Sequence, residues 1–406
     1  MRVIGNGGTD PRLNEPAPVF ESTRVLRVFY FCAFISVGIS TPNLSPYLRD
    51  RGLSGQQIAT VLSLIPLCNL GVPLLWGWMA DRSHRHERIL RIACLGSAIG
   101  IFLLGCAQRF ESLLAAFGLF ALFNVGVTPV ADTLAVAGSS DGRGYGRVRV
   151  WGSIGFLAAA VTGGALLTWR QSLGAYPLVP LLMAGGLVAA TVVAFRIRAP
   201  ATRPLGRPHI AELGALVRDR RFRSLLLVGT VHWMALAPYN AFFGLFLRGR
   251  SLPPAVGGAA FATGVVAEGL VLYGFTVLRR RFRLETLLAI SFGATAVRWI
   301  LTWQTWSPAW LIALQALHGL TFGLFWITGM ALLNEIVPKA LRATGQAVYL
   351  MAIFGVGSLV GYHATGLTLD VWHDVGRALA GAGLVEIVPL VLIVRARSRT
   401  APARGP

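Results

Sequence analysis

From residue 24 to residue 395 the chain alternates long stretches that are apolar on every side with short segments rich in Arg, Asp, Gly and Pro. A helix that is hydrophobic all round belongs in a core or a bilayer, and crossing a hydrocarbon layer ~30 Å thick takes about 20 residues. The apolar runs have that length. The pattern therefore predicts membrane-crossing helices at 24–48, 54–80, 88–108, 111–138, 147–169, 175–196, 222–248, 254–278, 284–303, 307–334, 342–367 and 373–395. Inside a bilayer every backbone N–H and C=O must find a protein partner, and a helix pairs them within itself. The expected fold is an all-α integral membrane protein of twelve transmembrane helices, with no stretch left over for a soluble domain.

The twelve segments divide into two sets of six. A basic linker at 197–221, containing Arg203, Pro204, Arg207 and Pro208, separates a six-helix half at 24–196 from another at 222–395, and short tails, 1–23 and 396–406, flank them. The second inner loop begins at Asp81 in one half and at Arg279 in the other. The fourth begins at Ser139 and at Glu335. Parallel halves with matched loops are the layout of transporters that rock around a central site.

Composition agrees, since 54% hydrophobic residues, 13% charged residues and a mean hydropathy of +0.62 exceed what a water-facing surface would carry. The net charge of +20 would suit nucleic acid if it were clustered with aromatics outside the spans, but it is not. With the N-terminus placed inside, 29 of the 37 Lys and Arg fall in inner segments or at their helix ends, 7 in outer loops, and Arg298 within a span. The positive-inside rule accounts for this excess and places both termini in the cytoplasm. Cys32, Cys68, Cys94 and Cys106 all lie in predicted spans without metal-ligand spacing, so they are expected to pack as small apolar residues. The first 20 residues lack an apolar core and read as a cytosolic tail without a cleaved signal.

Three ionisable residues interrupt the pattern where it should be most apolar. Glu268, Arg298 and His318 lie near the middle of three adjacent spans, and at ~1.5 Å per helical residue each is within two turns of the midplane. A charge there costs on the order of 2.5–3.5 kcal/mol on insertion scales, so such residues usually face a partner or a watery cavity and mark a pathway. A carboxylate near an arginine and an imidazole can exchange protons as water access alternates, or can form a static ion pair that sets helix register. Asp132 and Arg149 lie toward the inner ends of the fourth and fifth spans. There the arginine's planar fork would suit a carboxylate substrate, or would snorkel to headgroups. Tyr30, His232, Asn240 and Tyr349 are further candidates for a substrate-lining surface, each with core packing as the alternative, and Glu386 in the last span is either functional or a helix-interface residue.

The single lysine, Lys339, follows Pro338, so no P-loop is present and this chain does not drive transport with ATP. No His-Glu-x-x-His or Gly-x-Ser-x-Gly pattern points to hydrolysis. Neither an enzyme activity nor a cofactor or metal is expected.

The segment Gly-Trp-Met-Ala-Asp-Arg-Ser-His-Arg, from Gly77 to Arg85, resembles the inner-loop signature of the major facilitator superfamily. That resemblance implies a latch in which Gly77 allows close helix packing while Asp81 and Arg82 tie one half to the other. The stretches 47–54, 129–132 and 144–156, with 265–268, 297–299, 315–318 and 346–349 in the second half, look like the phenylpropionate permease branch of the superfamily. That branch is similar to the lactose permease group of proton symporters. The similarity implies proton-coupling roles for the spans that hold Glu268, Arg298 and His318, and a substrate-binding acid and arginine at about Asp132 and Arg149. Thr321 stands where the lactose permease has a second carboxylate and Gln315 where it has a lysine, which leaves Glu268 as the better titrating group.

The resulting expectation is a secondary active transporter in the cytoplasmic membrane of a prokaryote, a proton-coupled symporter of a small organic carboxylate. Its expected partners are the substrate, protons and the lipid bilayer, and it is expected to work as a monomer without nucleic acid. The alternatives are an uncoupled or efflux facilitator for a nucleoside, sugar or drug-like solute, and a non-transporting sensor on the same fold.

Overall fold

The computed structural model describes residues 19–137, 143–170, 178–197, 214 and 216–400. Most of both tails, the central part of the linker and Ser139 lie outside the described residues. Among the described residues ten helices are long and apolar enough to cross a membrane: Thr23–Asp50, His86–Cys106, Phe110–Ala137, Gly144–Arg170, Arg220–Gly249, Pro254–Arg281, Leu284–Gln304, Pro308–Ile336, Thr344–Trp372 and Val375–Arg395. The second place in the order is taken by a bent pair, Gly55–Asn69 and Val72–Ser83, which turns by 44°. The sixth is the shorter apolar helix Leu178–Ala194. The twelve segments appear in the expected order, and no strand occurs among the described residues.

Local chemistry explains the irregular places. The second span breaks at Gly71, and the following segment starts with a proline in its first turn, where a missing N–H costs nothing. Ser54 and Gln57 start the same span with a reciprocal capping box. The tenth and eleventh spans each contain a π-helical stretch, Gly319–Leu324 and Met351–Gly357. Wide turns of this kind often occur at functional sites. Apolar periodicity carries no signal for them, and the sequence reading did not anticipate them.

The two ends of the bundle differ. At the arginine-poor end the halves are joined by polar contacts. Asp50 pairs with Arg248, and Arg248 also donates to the Pro46 carbonyl. The Asp370 carboxylate accepts from the backbone N–H groups of Gly55 and Gln56, at the start of the second span. Gln56 donates to the His363 carbonyl at 2.8 Å while its own carbonyl accepts from His363 Nδ1 at 3.0 Å. The Ala255 amide donates to Thr168 Oγ1 at 2.9 Å. Glycine permits the close approach: a Cβ built on Gly244 would lie 1.9 Å from the Pro42 carbonyl oxygen.

At the arginine-rich end the polar contacts among the described residues stay within one half, as in Arg279 with Glu335 at 3.0 Å and Asp81 with His86 at 3.1 Å. Burial follows the same division. One apolar core runs through both halves, whereas a separate core of Phe29, Tyr30, Trp76, Leu90, Val130 and Ala194 belongs to the first half alone. The halves therefore meet at the arginine-poor end, and among the described residues no such polar contact joins them at the other.

Candidate functional site

The first half contributes a cluster around Arg149. Its guanidinium lies over the rings of Phe34 and Tyr30, 4.4 and 5.6 Å from their centroids. Tyr30 donates a short hydrogen bond to Asp132, and Tyr145 lies close enough to interact with both Asp132 and Arg149. Gly152, one turn beyond Arg149, leaves the room this arrangement needs, since a Cβ there would lie 2.9 Å from the guanidinium. Arg149 and Asp132 are only half-buried. Asp132 is thus within reach of Arg149, as the sequence suggested, and the tyrosine and phenylalanine around the pair are additions. Tyr145 stands in the stretch used for the family resemblance, but its type alone gave no role.

In the second half, Arg298 is fully buried. It donates to Thr321 Oγ1 at 2.7 Å, to His318 Nδ1 at 3.2 Å and to Gln315 Oε1. Its guanidinium also lies 4.4 Å from the ring centroids of both Tyr239 and Trp299. Arginine can only donate, so His318 Nδ1 must accept and the imidazole is the neutral Nε2–H form. No carboxylate pairs with Arg298 among the described residues, and its charge is dispersed over neutral acceptors and aromatic faces. Thr321 and Gln315, the two departures from the lactose permease pattern, are the residues that bind it.

Glu268 corrects the expected triad. It does not pair with Arg298 or His318. It packs against Gly323 of the tenth span, where a built Cβ would sit 3.2 Å from Glu268 Cγ, while His318 lies one turn away against Gly264. The charged group whose field reaches it is Arg149, from the other half. On the side of the second half, Tyr239 lies within the electrostatic reach of both Glu268 and Arg298. The structure therefore brings Arg298 and His318 together and leaves Glu268 within electrostatic reach of Arg149 on the other half.

Three further expectations need correction. His232 is a fully buried core residue rather than a substrate contact: Nδ1 bonds Glu386 at 2.7 Å and Nε2 bonds the Thr321 carbonyl at 2.9 Å. Tyr349 is likewise buried, its ring wedged between Gly229 and Gly329, because only glycine leaves space for it there. The latch residues are not engaged across the halves. Asp81 pairs with His86, Arg82 lies over Trp78 in its own helix, and a Cβ on Gly77 would meet nothing within 4 Å. Asn240 is half-buried and forms no side-chain hydrogen bond among the described contacts. The described residues hold no group of three or more His, Cys, Asp or Glu able to bind a metal.

Twelve apolar helices, two halves that close over one end, and charged side chains facing each other between them define a secondary transporter. The sequence model of the MFS_1 like family matches residues 23–376, and the chain belongs to that family. It is 26% identical to the maltose permease of Geobacillus stearothermophilus over 93% of this chain and 95% of that one. It is 28% identical to the Probable 3-phenylpropionic acid transporter of Escherichia coli (strain K12), over 84% of this chain and 89% of the other. Its fold matches the crystal structure of the nucleoside transporter NupG with a TM-score of 0.77 at 18% identity, covering 92% of this chain and 98% of that chain. Relatives and structural neighbours are transporters, and the chain is not an enzyme.

Proposed function

We propose that this transporter is a proton-coupled symporter of a small organic carboxylate, with Arg149 as the anion anchor and Glu268 as the group that carries the proton. The observation behind this reading is that Arg149 lies within electrostatic reach of two carboxylates, Asp132 on its own half and Glu268 on the other. While Glu268 is ionised, the guanidinium faces two counter-charges and has little to offer an anion. Protonating Glu268 removes one of its counter-charges and frees the fork for a substrate carboxylate. Proton and anion then travel together, and the net charge between the halves is the same before and after. Asp132, held by Tyr30, keeps the arginine seated when the site is empty.

A hydroxyl-rich neutral solute is the second reading. The same two carboxylates would accept hydrogen bonds from sugar or nucleoside hydroxyls, and relatives named for maltose and nucleosides lend it support. Thermal-shift and proteoliposome uptake measurements with 3-phenylpropionate, maltose and a nucleoside separate the two. The carboxylate reading expects binding of the acid, and uptake that an inward proton gradient accelerates. Stabilisation by maltose or the nucleoside alone would replace it.

In this reading the arginine-rich end and both termini are cytoplasmic, and the end at which the halves are joined faces outward. A cysteine at Gln304 is then expected to react with an impermeant reagent from the outer face, and one at Arg280 only after permeabilisation. The opposite pattern would reverse the assignment.

A further inference from the structure

Glu386 and His232 play no part in the scheme above, yet both are fully buried in the second half and lie 2.7 Å apart. The hydrogen count at this site is constrained. Nε2 of His232 lies 2.9 Å from the Thr321 carbonyl, which can only accept, so Nε2 carries a hydrogen. The contact between Nδ1 and Glu386 also needs a hydrogen, from one side or the other. A neutral histidine facing a carboxylate has one hydrogen for these two contacts. The observed geometry therefore holds one proton more than that pair, as imidazolium with carboxylate or as imidazole with carboxylic acid.

Removing that proton sets two lone pairs against each other across one of the contacts. The contact to the carboxylate is the charge-assisted and stronger one, so the remaining hydrogen stays on Nδ1 and the link to Thr321 opens. Thr321 lies within the π-helical stretch of the tenth span, where its carbonyl is available to a side chain, as is that of Leu320, which accepts from Ser291 at 2.6 Å. The Thr321 hydroxyl is also the acceptor for Arg298 at 2.7 Å. The other groups packed around the pair are Phe292 and Phe325, with ring centroids 5.2 and 4.2 Å from that of His232. The other titratable or charged groups on the spans around the pair are Arg298 on the ninth, which binds Thr321 Oγ1, His318 one turn before Thr321 on the tenth, and Tyr349 of the eleventh, which lies against Gly229 one turn from His232. Glu386 Oε2 is buried without a hydrogen-bond partner, so a second acceptor atom faces this interior.

We infer that Glu386 and His232 form a second proton-binding site, separate from Glu268, whose single proton holds the Thr321 turn in place and so seats the hydroxyl that binds Arg298. Both are positioning residues: they act on the central site through Thr321. The inference rests on the transporter fold and not on the role given to Glu268.

Two measurements on the full-length protein test it, with protons as the only ligand. In protein labelled with 15N-histidine, the His232 ring signals, assigned by their loss in His232→Gln, are expected to shift with pH as the extra proton leaves. Hydrogen–deuterium exchange of residues 319–324, corrected for the intrinsic pH dependence of exchange, is expected to rise by about tenfold over the same range, the size of losing one hydrogen bond. In Glu386→Gln the carboxamide can donate to Nδ1 without an added proton, so both contacts persist and the exchange step disappears. Glu268→Gln is expected to keep the step. His232 signals that stay fixed across the pH range in which the parent is folded would overturn the inference, without need of any variant at Glu386. An exchange step that survives in Glu386→Gln or vanishes in Glu268→Gln would overturn it too.

Discussion

The two halves each place an arginine in the membrane interior, and the two are treated in opposite ways. Arg298 is sealed in, with three side-chain acceptors and two aromatic faces around it. Arg149 is half-buried, lies on two aromatic rings and has carboxylates within its field on both sides. A cation whose donors are committed to fixed neutral partners stiffens the half that contains it, because any movement leaves several buried acceptors unpaired. A cation balanced by carboxylates and ring faces can exchange one counter-charge for another at little cost. The same side chain is thus fixed in place in one half and left able to exchange partners in the other, and the difference lies in the surroundings.

The comparison makes its largest prediction in stability. Arg298→Leu leaves Gln315, Thr321 and His318 facing an apolar side chain and should cost about 1–3 kcal/mol for each acceptor left unpaired. Arg149→Leu should cost less, about 1–2 kcal/mol, the range for cation–π contacts at a half-buried site. Unfolding of the purified variants in mixed micelles measures both, and equal losses would erase the distinction. In affinity the order reverses. Arg149→Lys keeps the charge but loses the fork, and should weaken an acid substrate by about 1–3 kcal/mol, the scale of hydrogen bonds to charged groups. Calorimetry that finds parental affinity for the acid in this variant would reduce Arg149 to a helix anchor. The smallest effect is expected from Tyr30→Phe, which deletes the hydrogen bond to Asp132 and should shift affinity by about 1 kcal/mol. A loss as large as that of Arg149→Lys would place Tyr30 in direct contact with the substrate.

Much of the fold was legible in the sequence because bilayer thickness imposes a length and burial imposes composition, and those two rules placed the spans within a few residues. The second span shows the limit: Gly71 and the proline after it break an apolar run that reads as one helix. The site was legible by residue type and depth, as for Glu268 and Arg298, but not by direction. Rotation about a helix axis decides whether Glu268 meets Arg298 or faces Arg149, and in a span apolar all round nothing in the pattern fixes that angle. His232 and Tyr349 failed for the same reason. The Gln315 and Thr321 departures did carry a signal, since removing a lysine and an acid near a buried arginine calls for neutral partners, and those residues supply them. The Glu386–His232 contact joins residues 154 positions apart, beyond the reach of any local motif.

The central claim is that Glu268 carries the proton that releases Arg149 to the substrate. Its most direct test compares two assays on Glu268→Gln in proteoliposomes, using whichever of 3-phenylpropionate, maltose or a nucleoside the parent protein transports. The glutamine has no proton to give or take, so accumulation driven by a pH gradient should be abolished, while counterflow exchange, which needs only binding and the rocking of the halves, should persist near the parental rate. Accumulation at the parental level in Glu268→Gln would contradict the account.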